Sequence, residues 1–71
     1  MPKTRKLTRL IRRLSPREYL TLRLLATGYT VKQIATEYGV RVGTVRVYTM
    51  EARRKMGAET LYQAVAILAR G

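Results

Sequence analysis

The chain has 71 residues, with 15 Lys and Arg against four Glu, no Asp, His or Cys, and a formal charge of +11. A chain this short makes one domain that buries only about 60% of its unfolded surface. Without Cys, His or Asp there is no disulfide, no metal cluster, no nucleophile–base pair and no convincing general base, so neither an enzyme nor a cofactor site is expected.

The first 14 residues hold Lys3, Arg5, Lys6, Arg9, Arg12 and Arg13 with no acid, a local +6. Within them Leu7, Leu10, Ile11 and Leu14 recur at i, i+3, i+4 and i+7. That spacing predicts a short amphipathic helix over 7–14, preceded by a flexible arm over 1–6. The alternative is a disordered basic tail that orders in a DNA minor groove. Ser15-Pro16-Arg17-Glu18 has the form of a capping box with proline at the first helical position, and starts a helix over 16–27. Thr30-Val31-Lys32-Gln33 repeats the box and starts a helix over 31–38. A third helix is expected over 42–56, and Thr60-Leu61-Tyr62-Gln63 opens a last one over 60–70. Gly28, Gly39 and Gly57 fall where helices should stop. Val40-Arg41-Val42 alternates but is too short for a strand. No apolar run approaches the roughly 18 residues of a membrane span, and no signal-peptide core follows the basic start. A membrane partner is therefore not expected, and a cytoplasmic, nucleoid-associated protein is.

From Val31 to Met50 the chain reads as a helix-turn-helix. Ile34 and Tyr38 lie one turn apart on the inner face of one helix, and Val45 and Tyr48 do so on the next. Ala35 is small where the second helix must cross closely, and Gly39 supplies the left-handed residue of the turn. On the second helix Val45, Thr49, Ala52 and Met56 should face the body, with Tyr48 alongside, and Arg46, Val47, Met50, Arg53 and Arg54 the opposite side. The surplus charge concentrates here too. Residues 41–56 carry a local +4, whereas 15–40 and 57–71 carry +1 and 0. Positive charge gathered on an arm and on one helix is the footprint of a phosphate-binding surface. Lys55 has a second reading as a helix pair with Glu51, four residues earlier.

Leu14-Ser15-Pro16-Arg17-Glu18, Leu24-Leu25-Ala26-Thr27-Gly28, Lys32-Gln33-Ile34-Ala35, Thr44-Val45-Arg46-Val47-Tyr48, Arg54-Lys55-Met56-Gly57 and Gln63-Ala64-Val65-Ala66 together resemble the DNA-binding domain of LuxR-type (GerE/NarL-like) regulators. The resemblance runs without a gap from about Leu14 to Arg70. It implies an all-α fold, a four-helix bundle over 15–71 with residues 1–14 added as a basic arm or short helix. It also implies that the third helix reads double-stranded DNA and the fourth commonly dimerises. Base reading is carried by the resemblance onto Arg46, Val47 and Met50. Arg46 suits the guanine edge and Val47 a thymine methyl, while Met50 is either an apolar base contact or an incidental surface methionine. Phosphate contacts are expected from Lys32, Arg41, Thr44, Arg53 and Arg54, and from Lys3, Arg5 and Lys6 of the arm. Thr44 has the alternative of bonding its own backbone.

Several positions depart from the family pattern. Arg41 stands where a Ser or Thr cap is usual and Gly43 where a polar or basic residue is common, so the first turn should be weak until phosphates meet its amides. Tyr48 replaces a histidine and Ala52 a larger aliphatic residue. In the last helix Leu61, Ala64, Val65 and Leu68 form one buried stripe, with Tyr62, Ala66 and Ala69 beside it and Ile67 elsewhere on the surface. A helix apolar nearly all round has a second partner, and a two-fold homodimer through Tyr62, Ala66 and Ala69 is expected. The reading that follows is a stand-alone, sequence-specific transcription regulator without a sensor domain. The main alternative follows from Val45-Arg46 and Ala52-Arg53-Arg54-Lys55-Met56, which also resemble the promoter-reading domain of bacterial sigma factors. On that reading the chain is an adaptor or inhibitor that binds RNA polymerase as well as DNA. A non-specific architectural or RNA-binding protein ranks lower, because the tyrosines form no interleaved stacking platform.

Overall fold

A computed structural model describes residues 8–70, and every regular element among them is helical. Residues 8–12 form α1, followed by α2 (Pro16–Ala26), α3 (Val31–Tyr38), α4 (Val42–Lys55) and α5 (Leu61–Arg70). The lead-in helix ends two residues before its apolar spacing suggests, and Leu7 lies outside the described residues. It gives way to a turn at Arg13 because Ser15 must take an extended conformation (φ −68°, ψ 161°) to cap α2 ahead of Pro16. Lys3, Arg5 and Lys6, with the rest of the arm, lie outside the described residues.

The starts and stops follow the local chemistry. In α2 the Glu18 amide donates to Ser15 Oγ at 3.1 Å and the Ser15 amide donates to Glu18 Oε1 at 3.0 Å. Thr30 and Gln33 exchange the same two bonds at the start of α3. At α5 only half of the box forms as expected. Gln63 donates its amide to Thr60 Oγ1, but its side-chain oxygen accepts from the Glu59 amide rather than from Thr60. Gly28, Gly39 and Gly57 all have positive φ, and after each one the next amide reaches back five residues, Tyr29 to Leu24, Val40 to Ala35 and Ala58 to Arg53. That bond closes a helix with a left-handed residue, and at Gly39 (φ 68°) any Cβ would be strained.

Two apolar clusters share Leu25 of α2. One joins Ile34 and Ala35 of α3 to Val45 of α4, with Val31, Tyr38, Val42 and Leu24 around them. The other joins Leu22 of α2, Ala52 and Met56 at the end of α4, Ala58, and Ala64 and Leu68 of α5. Ile11 and Leu14 pack onto this second cluster, so the lead-in segment belongs to the body. Ile67 packs there as well, which corrects its expected place on the surface. The closing helix sits against α2 and α4 together. Both ends of α4 are thus fixed to the body, and one long side is left to solvent.

Candidate nucleic-acid interface

The side chains that aim α4 are polar as well as apolar. Val45 and Ala52 have no exposed surface and Met56 only 3%, so the inner side of α4 is sealed as its spacing implies. Thr49 is half-buried and donates its hydroxyl to the Arg46 carbonyl at 2.7 Å. Tyr48 meets Tyr38 edge to face, with ring centroids 6.1 Å apart. Tyr38 is itself clamped. Thr21, fully buried, donates its one hydroxyl proton to the Arg17 carbonyl, so the 2.9 Å contact between Thr21 Oγ1 and Tyr38 Oη has tyrosine as donor. The Arg17 guanidinium stacks 4.2 Å above the Tyr38 ring. The Thr21–Tyr38–Arg17 clamp does not appear in the sequence pattern, because Thr21 and Tyr38 are 17 residues apart and threonine on a helix is ordinarily exposed.

The far end of α4 carries a second anchor. Lys55 Nζ lies 2.8 Å from Glu18 Oε1, the oxygen that also accepts the Ser15 amide. Lys55 therefore departs both from a place on the phosphate-binding surface and from its second reading as a pair with Glu51, which is taken by Arg54 at 2.7 Å. Glu18 is 7% exposed. Burial alone would raise its pKa, but the Lys55 ammonium and the Ser15 amide more than offset this and hold it below the ordinary value of 4.5. Arg53, expected on the open side, turns a guanidinium nitrogen onto the carbonyls of Ala58 and Glu59 at 3.3 and 3.1 Å. It is half-buried and ties α4 to the turn before α5.

On the open side the structure brings Arg46, Val47 and Met50 together on adjacent turns. Arg46 is exposed and makes no side-chain bond or ion pair among the described residues. Val47 and Met50 are 51% and 53% exposed. Arg41 occupies the N-cap position with no side-chain cap bond, as its residue type implies, and its side chain is exposed. The first turn nevertheless forms, its Thr44 and Val45 amides both donating to the Arg41 carbonyl. Thr44 is half-buried, without a side-chain hydrogen bond among the described residues, and Lys32 is exposed on α3. Arg54 lies on the open side but is engaged with Glu51, whose carboxyl it holds below the ordinary glutamate value. Tyr62, Ala66 and Ala69 line one exposed side of α5. Tyr62 is 89% exposed and borders an apolar groove of about 300 Å³ with Leu25, Leu61 and Val65. No helix among the described residues is long and apolar enough to cross a membrane, and no cluster of metal-ligating side chains occurs among them.

Comparison with known proteins agrees with this geometry. The family model for bacterial regulatory proteins of the luxR family matches residues 12–68. Nodulation protein W of Bradyrhizobium diazoefficiens is 44% identical over 48 residues, covering 68% of this chain and 21% of that protein. The HTH-type transcriptional activator RamA of Corynebacterium glutamicum is 42% identical over 53 residues, covering 75% of this chain and 19% of that one. This chain spans about a fifth of the length of these curated relatives. No solved structure matches it significantly. A family match over most of the chain, on an all-helical body with a sealed inner side and an open cationic side to α4, places this chain in the luxR family of bacterial regulatory proteins as a helix-turn-helix DNA-binding domain.

Proposed function

We propose that the chain controls transcription by sequence-specific binding of double-stranded DNA, with α4 in the major groove and two copies on a two-fold symmetric site. The observation that carries this reading is the state of Arg46, Val47 and Met50. They are exposed on consecutive turns of a helix whose other side buries Val45, Ala52 and Met56, and no packing role accounts for them. Arg46 suits bidentate donation to guanine N7 and O6. Lys32, Arg41 and Thr44, with Lys3, Arg5 and Lys6 of the arm, position the domain on phosphates. Arg54 reaches a phosphate by exchanging its bond to Glu51, and Arg53 by using the donors left over from Ala58 and Glu59. Residues 1–14 supply the basic arm and the short lead-in helix, whose Ile11 and Leu14 pack on the body, and 15–71 the reading domain. The work is done in the cytoplasm, on the nucleoid. RamA is by name a transcriptional activator; transcriptional control is carried over to this chain, but not its sign. Dimerisation uses the exposed side of α5, with Tyr62, Ala66 and Ala69 self-complementary across the axis.

The test is selection from a randomised duplex pool at two salt concentrations, with sequencing of what is retained. Enrichment of a roughly palindromic site is expected, and Arg46→Ala should then relax one base pair by about 1–3 kcal/mol. Retention without enrichment, lost at higher salt, would place the specificity in a protein partner, with RNA polymerase first to be tried. Sedimentation showing only monomer, free and on DNA, would remove the dimer.

A further inference from the structure

The open side of α4 has an uncharged centre. Gly43, Val47 and Met50 are spaced i, i+4 and i+7, so they share one line along the helix. Arg46 edges this line on one side and Glu51 on the other, with Arg54 closing the far end in its pair with Glu51. Two features of the line have no structural cause. Val47 and Met50 leave half their surface in water within the segment 41–56, which carries a net +4. Gly43 sits in the first turn without positive φ, and a Cβ built there meets nothing within 4 Å. Glycine weakens a helix relative to alanine, and here neither backbone conformation nor packing requires it.

We propose that Gly43, Val47 and Met50 form a strip that recognises thymine by its C5 methyl, with Met50 as the reader and Gly43 as the gap that lets the helix approach. This rests on α4 being the groove helix. The thymine methyl is the one apolar group that base pairs display in the major groove. Guanine, cytosine and adenine edges placed against Val47 and Met50 would lose water and gain no partner, whereas the methyl gains apolar contact. The bare Gly43 turn lets the strip lie flat against the bases. A side chain there would hold Val47 and Met50 off by its own thickness.

The test replaces thymine with uracil, one position at a time, in a duplex site enriched by the wild-type protein. Removing a methyl read by the strip should weaken binding about fourfold. Met50→Ala, its helicity checked by circular dichroism, should bind the thymine site more weakly and be indifferent to uracil at one of those positions. Gly43→Ala should melt higher than wild type yet bind the site more weakly, a pairing of signs that a purely structural role does not produce. Uracil without effect at every thymine, full uracil sensitivity in Met50→Ala, or unchanged binding by Gly43→Ala would each overturn the assignment while leaving α4 as the reading helix. A pool with no enriched site would overturn the reading-helix premise itself.

Discussion

Helices α3 and α4 adjoin in the chain and in space, yet they are specified in opposite ways. The shorter, α3, is closed at both ends by its own residues, a reciprocal Thr30–Gln33 box at the start and left-handed Gly39 at the finish. The longer, α4, begins on Arg41 without a side-chain cap and carries glycine in its first turn. Its position comes from distant partners: Tyr38 against Tyr48, Glu18 against Lys55, and the sealed side at Val45, Ala52 and Met56. A helix held by its inner side and by distant partners keeps its outer side free of structural duties. That is the surface that a DNA-reading helix has to keep available.

The comparison breaks most severely at the contact that serves both helices. Ile34 is fully buried between α3 and α4, and Ile34→Ala should cost about 2–5 kcal/mol, enough to unfold much of so small a domain at moderate temperature. Thermal melting measures it. A shift of only a few degrees would mean that the corner collapses onto the gap.

Next is the remote anchor. Lys55→Met keeps the stem of the side chain but leaves Glu18, 7% exposed, without its counter-charge. The expected loss is about 2 kcal/mol at neutral pH, at the low end for a buried pair because Lys55 is partly solvated. The sign with pH is fixed. Glu18 has a folded-state pKa below its ordinary 4.5, so its contribution is full above that value and is lost as pH falls through the folded-state pKa. Wild type and Lys55→Met should therefore converge in stability at acid pH. A constant difference down to the lowest pH at which both remain folded would show that the stem, not the charge, holds α4.

The caps sharpen the contrast between the two helices directly. Thr30→Ala removes an oxygen that accepts the Gln33 amide and should cost about 1 kcal/mol. Arg41→Ala removes no cap bond and should cost almost nothing in stability. Arg41→Ser should gain a few tenths to about 1 kcal/mol if its hydroxyl engages the first turn. Equal effects at the two positions would mean that α4 depends on its own start as α3 does.

What the sequence made legible divides along the same line. Capping boxes, stop glycines and the i, i+4 apolar pairs act within a turn or two, so helix order, the crossing of Ile34 and Ala35 by Val45, and the open side with Arg46, Val47 and Met50 could all be read from it. The anchors could not. Lys55 has an acid four residues back in the favourable order, but Glu51 goes to Arg54, whose guanidinium offers two donors to one carboxylate. Lys55 is then free to reach an acid 37 residues away in sequence. Arg53 looks like any cation of the open side until the chain turns at Gly57 and presents two carbonyls to it. Ile67 looks stranded in a four-helix plan, and it is accounted for once Ile11 and Leu14 extend the same cluster.

The smallest expected change in stability comes with a clear effect on binding. Glu51 and Arg54 form an exposed pair on the outer side of α4, and pairs of this kind contribute little to folding. Glu51→Ala should leave the melting temperature unchanged within error while releasing Arg54 and removing an acid from the open side of α4. Affinity for any duplex should then rise, and the slope of log affinity against log salt should steepen by up to about one. The enriched sequence should stay the same, because a phosphate contact carries no base information. If the enriched site changes while the slope does not, Arg54 touches bases rather than phosphates. If neither changes, the pair lies outside the contact surface, and the DNA-facing part of α4 ends at Met50.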